Sequence, residues 1–250
     1  MSGVCTAEII GNDEIAPGIF KLRLRLPAGY QRPEPGQFVN LYLNDPSRLL
    51  PRPISVCGWH ESVLTLVYAV VGAGTRAISG YGIGAKIRVS TPLGNGFAVQ
   101  PVKSCILVGG GVGVPPLLYL ANRLAENGRD ALAVLGFRGE PFLTDEFPCA
   151  VEVATDDGSA GFKGNVVELL EKLNLPASGT QILACGPKPM LGALAKFAAK
   201  RGIALQVSLE ERMGCGYGAC VGCVCKTAGG SRKVCEDGPV FAGDEVIWDE

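Results

Sequence analysis

The sequence predicts an N-terminal antiparallel β-barrel, a doubly wound parallel α/β layer and a small metal-held C-terminal segment. Three observations carry this expectation. Apolar and polar residues alternate with period two in the first part of the chain, and β-type runs alternate with helical spacing after Pro101. Five of the ten cysteines then fall in the last part, at Cys215, Cys220, Cys223, Cys225 and Cys235.

In residues 1–100, Phe20, Leu22, Leu24 and Leu26 alternate with Lys21, Arg23 and Arg25, the mark of a half-buried strand. Further strands are expected over Gln37–Leu43, Ile54–Val56, Val63–Val71 and Lys86–Ser90. Pro, Gly and Asn punctuate them closely, as in a small barrel. In residues 101–209, strands are expected over Cys105–Val108, Ala131–Phe137, Val151–Ala154, Gln181–Ala184 and Ile203–Val207. Helices are expected over Pro115–Asn127, Asn165–Leu173 and Lys188–Arg201. Residues 210–250 show little helical or strand period.

Composition narrows the class. The 250 residues are 47% hydrophobic and 19% charged, which describes a globular chain. A net charge of −1 without a basic block gives no footprint for nucleic acid. The 35 glycines and 17 prolines imply many turns and close backbone approaches. The start, MSGVCTAEIIGNDE, lacks a basic region and gains acids early, so a cytoplasmic protein with reduced cysteines is expected. Cys105 to Asn122 is uncharged and nearly long enough to span a bilayer, but GGGVGVPP at its centre reads as strand, turn and helix start. No membrane association is expected.

The cysteine run has the spacing Cys-x4-Cys-x2-Cys-x11-Cys through Cys215, Cys220, Cys223 and Cys235. Its first three members match the plant-type spacing for a [2Fe–2S] centre. Gly214, Gly216, Gly218 and Gly222 let the loop wrap closely and aim N–H groups at sulfur. Structural zinc also takes four cysteines, although zinc ribbons show two separated Cys-x2-Cys knuckles and only one such pair occurs here. Cys225 reads as a plain small residue, and Cys5, Cys57, Cys105, Cys149 and Cys185 read as packing.

Two further turns suggest ligand binding. Gly109–Gly113 runs into Pro115 and Pro116 as strand, glycine turn and helix start, where a pyrophosphate can rest. A simple tight turn is the alternative, because Gly109, Gly111 and Val114 do not complete a dinucleotide fingerprint. Cys185-Gly186-Pro187 repeats the device on a later strand, facing the same crevice. In the barrel, Arg52-Pro53-Ile54-Ser55 opens a strand and Gly72-Ala73-Gly74-Thr75 follows the next. An arginine and a glycine-flanked threonine suit phosphate, and Ser55 offers a hydroxyl to a flavin ring. Tyr68 reads as core, and the lone His60, in an expected hairpin turn, carries no chemistry.

Together these motifs resemble the electron-transfer subunits of heteromeric NAD-dependent (class 1B) dihydroorotate dehydrogenases, within the ferredoxin–NADP reductase superfamily. The resemblance runs the length of the chain and is most specific over Glu210–Cys223 and Val234–Phe241. It implies an FAD-binding barrel at 1–100, an NAD-binding α/β domain at 101–209 and a [2Fe–2S] domain at 210–250. Carried over, Arg52, Pro53, Ile54, Ser55, Ala69, Val70, Val71, Gly74 and Thr75 would hold FAD. Gly110, Gly111, Val112, Gly113, Cys185, Gly186 and Pro187 would border NAD, and Cys215, Cys220, Cys223 and Cys235 would hold the cluster. Arg138 would suit a 2′-phosphate, whereas the resemblance implies NAD. The implied activity is electron transfer between NAD and an FMN-containing catalytic subunit, in a heterotetramer serving de novo pyrimidine (UMP) synthesis. The flavin subunit of a ferredoxin-dependent NADP reductase or of a sulfhydrogenase is the alternative.

Overall fold

A computed structural model describes residues 3–248. The first six strands close into an antiparallel barrel, in the order β1-β2-β5-β4-β3-β6. They are β1 (Val4–Ala16), β2 (Ile19–Arg25), β3 (Phe38–Tyr42), β4 (Arg52–His60), β5 (Val63–Ala69) and β6 (Lys86–Ser90). Leu22 and Leu24 of β2, Val39 and Leu41 of β3 and Leu64 and Leu66 of β5 fill the barrel, all fully buried. Their spacing of two is the periodicity of a pleated strand.

Two barrel elements depart from the sequence reading. Strand β1 was not expected, because its register shifts between Ile9 and Gly11 and between Glu14 and Ala16. Such bulges break the alternation that marks a strand. A short helix, α1 (Ala73–Ser79), follows β5 where only a glycine-rich loop was read. Its one large apolar anchor, Ile78, is fully buried against the barrel, too little for a helical stripe.

The second layer is a seven-stranded sheet in the order β10-β9-β8-β7-β11-β12-β15. Strands β7 (Ser104–Gly110), β8 (Ala131–Phe137), β9 (Ala150–Thr155), β10 (Phe162–Lys163), β11 (Thr180–Cys185) and β12 (Ala204–Ser208) run parallel. Helix α2 (Val114–Glu126) covers one face, and α3 (Val166–Leu173) and α4 (Lys188–Arg201) cover the other. Accordingly Cys105 and Leu107 pack with α2, while Ile106 and Val108 pack with α3 and α4. Helix α3 starts at a capping box: Asn165 Oδ1 accepts from the Val167 and Glu168 N–H groups, and Glu168 Oε2 accepts from the Asn165 N–H at 3.0 Å. The uncharged Cys105–Asn122 stretch is β7, its turn and most of α2; among the described residues no helix is long and apolar enough to cross a membrane.

The C-terminal segment is more regular than its sequence suggests. It holds a hairpin, β13 (Val224–Thr227) with β14 (Gly230–Lys233), whose strands are too short to show a period. Strand β15 (Val240–Ala242) then joins the large sheet antiparallel to β12. Asn95, just beyond the barrel, clasps this segment: its Nδ2 donates to Asp237 O and Val240 O, and its Oδ1 accepts from Val240 N–H at 2.9 Å. Barrel and sheet are joined elsewhere by α2, whose Tyr119 hydroxyl donates to Pro33 O at 2.7 Å. Cys57 and Val67 of the barrel share the α2 core.

Candidate functional site

The strand order reverses between β7 and β11, the switch point at which open α/β sheets bind ligands. A cavity of about 510 Å³ opens there. Gly110, Gly111 and Val112 from the first turn and Gly186 and Pro187 from the second line it. Gly113 sits beneath the turn instead, where a Cβ would strike the Cys185 carbonyl. Cys185 is itself buried, and burial pushes its thiol up to about 12. The cavity also takes in Arg138, Glu140, Asp156 and Met190, none of which the sequence reading assigned except Arg138.

A second cavity, of about 370 Å³, lies on the barrel side. Arg52, Pro53, Ile54, Ser55, Ala69, Val71 and Thr75 line it. Val70 turns the other way and packs on the barrel core. Gly74 lies under the Arg52 guanidinium and leaves no space for a side chain. The Arg52 Nη1 donates to Leu50 O at 2.6 Å, and Thr75 Oγ1 accepts from the Val71 N–H at 3.0 Å. Tyr68 is both core and wall: it stacks on Phe20 with ring centroids 5.8 Å apart and faces the cavity.

The two cavities meet. Val112 and Glu210 line both, and Glu211 and Met213 continue the barrel-side wall. Glu210 is open to the cavities, but protein crowds its other sides, and this desolvation raises its carboxyl above the usual range. The run Glu210–Met213 was visible in the sequence as part of a motif. Its position at the junction depends on where β12 ends, which no local pattern states.

The four loop cysteines gather beyond the barrel-side cavity. Cys215 pairs with Cys220 and Cys223 with Cys235 through their side chains. Among the described residues no three His, Cys, Asp or Glu side chains converge on one ion position. Two thiol pairs fit a two-iron cluster, in which each iron takes two thiolates. Backbone donors are already aimed at the sulfurs. The Tyr217 and Cys220 N–H groups point at Cys215 Sγ at 3.5 and 3.4 Å, and the Gly218 N–H at Cys235 Sγ at 3.2 Å. Burial pushes the Cys215 thiol up, but the Tyr217 and Cys220 donors outweigh it and hold it at about 7. Burial and the neighbouring Cys223 push Cys235 up to about 12. Gly216 and Gly218 have φ of +78° and +84°, a region open to glycine, so the wrap requires them. Lys233 Nζ closes the loop by donating to Gly218 O at 2.6 Å. Cys225 is buried in the core that also takes in Cys223 and Cys235, and it lines a separate cavity with Lys188 and Trp248.

A parallel nucleotide-type sheet, a six-stranded barrel and a thiol loop around one crevice define an iron–sulfur oxidoreductase of the ferredoxin–NADP reductase type. The chain belongs to the family of electron transfer subunits of dihydroorotate dehydrogenase B (NAD(+)). It is 37% identical over 248 residues to that subunit from Caldanaerobacter subterraneus subsp. tengcongensis, covering 97% of this chain and 98% of the relative. It is 42% identical over 248 residues to the subunit from Bacillus velezensis, covering 94% and 95%. Residues 210–247 match the iron-sulfur cluster binding domain of dihydroorotate dehydrogenase B. Among solved structures, an NADH-dependent reduced ferredoxin-NADP oxidoreductase superposes with a TM-score of 0.89 at 33% identity, covering 100% of this chain and 92% of that one. A ferredoxin NADP+ reductase from Neisseria gonorrhoeae shares the fold, with a TM-score of 0.68 at 16% identity over 80% of this chain and 92% of its own.

Proposed function

We propose that this chain carries electrons between NAD and the FMN of a dihydroorotate-oxidising catalytic subunit, through FAD and a [2Fe–2S] cluster, in de novo UMP synthesis. The observation that carries this reading is the shared wall, Val112 and Glu210, between the nucleotide-side and barrel-side cavities. Flavin, when bound, supplies the change from paired hydride electrons to single ones.

The chain's own residues bind and orient. Arg52, with Gly74 and Thr75 beside it, would hold the phosphates of FAD, and Ser55 would offer its hydroxyl to the ring. Pro53, Ile54, Ala69 and Val71 complete the barrel-side wall, and Val70 supports it from the barrel core. Gly110, Gly111, Val112, Gly186 and Pro187 would border the dinucleotide, with Gly113 and Cys185 packed beneath them. Arg138 shares that cavity with Glu140, Asp156 and Glu210, and this excess of carboxylates suits an unphosphorylated ribose. Cys215, Cys220, Cys223 and Cys235 would hold the cluster, the first two and the last two as neighbouring thiol pairs. Tyr217 and Val221, 51% and 77% exposed beside the thiol loop, offer the catalytic subunit an apolar face. The working division is 1–100, 101–209 and 210–250, in a cytoplasmic heterotetramer with two copies of each subunit.

Likeness to the NADH-dependent ferredoxin-NADP oxidoreductase supports a second reading, the flavin subunit of a ferredoxin-linked NADP reductase. The partner that co-purifies with the native protein separates the two. The direct test is Cys220→Ser, for which NADH reduction of FAD is retained and electron flow to the catalytic subunit is lost. Unchanged coupled turnover in that variant contradicts the proposal.

A further inference from the structure

Strand β3 carries one polar side chain that the barrel does not need. Val39 and Leu41 belong to the barrel core, whereas Asn40 between them faces outward and is still 0% exposed, because the cysteine loop covers it. Its Nδ2 donates to the Cys215 carbonyl at 2.9 Å. Its Oδ1 is buried without a hydrogen-bond partner. An apolar residue would avoid that cost, so packing alone does not account for the amide.

The surroundings are shaped around this side chain. Gly216 lies against the Asn40 amide with no space for a Cβ, which would come within 2.5 Å of Nδ2. The Asn40 N–H donates to Ser90 Oγ at 2.9 Å, which fixes the strand. Asn40 also stands in register with Pro53, in the Arg52–Ser55 run that lines the barrel-side cavity. One amide therefore spans the strand pair of that cavity and the thiol loop.

We propose that Asn40 is a positioning residue that locks the Cys215–Gly218 turn to the flavin-side strands and so aims backbone N–H groups at the cluster sulfurs. The inference rests on the [2Fe–2S] reading of the four cysteines. Its physical logic is the rigidity of one peptide plane. The Cys215 carbonyl and the Gly216 nitrogen share that plane, so holding the oxygen sets where the turn begins. The next two N–H groups, of Tyr217 and Gly218, reach Cys215 Sγ and Cys235 Sγ, one sulfur in each thiol pair. Donors to sulfur stabilise the reduced, more negative cluster.

The test uses the holoprotein with Asn40→Ala and Asn40→Ser, and Val39→Ala as a packing control on the same strand. In Asn40→Ala, amide exchange at Gly216–Gly218 accelerates by about tenfold, the size expected for one buried hydrogen bond. The electron paramagnetic resonance spectrum of the reduced cluster shifts and its reduction potential falls, while the rate of FAD reduction by NADH is unchanged. Asn40→Ser, with its short hydroxyl, shows the same changes at smaller size and serves if the alanine protein does not accumulate. Wild-type spectra and exchange in both Asn40 variants overturn the inference, as does the same spectral change in Val39→Ala. A wild-type protein that assembles no cluster overturns the cysteine reading itself, and the inference with it.

Discussion

Glu210 stands where the two cavities meet, and its raised carboxyl pKa comes from desolvation. A carboxyl that titrates higher in the fold than in the unfolded chain contributes stability at low pH, and that contribution is lost as pH rises through the folded value. Glu210→Gln does not titrate. Its melting temperature relative to wild type should therefore climb as pH rises through and above the ordinary carboxylate range. A difference independent of pH would show that the carboxyl is not desolvated. The residues of the cluster loop were legible because their signal is local: spacing and flanking glycines lie within a single short run. Asn40 was not, because its partner Cys215 is 175 positions away and nothing in Phe38–Tyr42 announces a polar contact.

Among elements, the regular strands and helices of the sheet followed their periods closely. Strand β8 and helix α4 match the expected bounds, since each is a sustained apolar pattern ended by glycine, arginine or a proline corner. Strand β1 was hidden by two bulges, α1 by its brevity, and β15 by its dependence on β12 as a partner. The glycine turn after β7 was read from its strand, turn and helix-start pattern as able to hold a pyrophosphate, with a simple tight turn as the alternative, and the structure adds why Gly113 in particular is glycine. Its φ is not positive, so space alone is at issue: a Cβ would meet the Cys185 backbone. Gly113→Ala should cost about 2 kcal/mol of stability by overpacking. It should also raise the KM for NADH while flavin absorbance stays intact. Denaturant melts and NADH titrations check both parts, and a wild-type KM would detach this turn from the dinucleotide.

The whole molecule arranges three parts around one line. The sheet's switch point, the barrel-side cavity and the thiol loop follow one another, and Val112 and Glu210 bridge the first two. The thiol loop is held in turn by Asn40, Asn95 and β15, so the cysteines are fixed to barrel and sheet together. This order of parts was readable from the order of motifs, but the contacts that bring them together are long-range. A chain built this way should move electrons from nucleotide to cluster without its catalytic partner. The direct measurement is an anaerobic titration of the purified protein with NADH, followed by absorbance and electron paramagnetic resonance. Flavin absorbance should bleach first, and the signal of a reduced [2Fe–2S] cluster should then appear. Flavin bleaching with no cluster signal at any NADH concentration, in protein shown to contain iron and sulfide, would contradict this route.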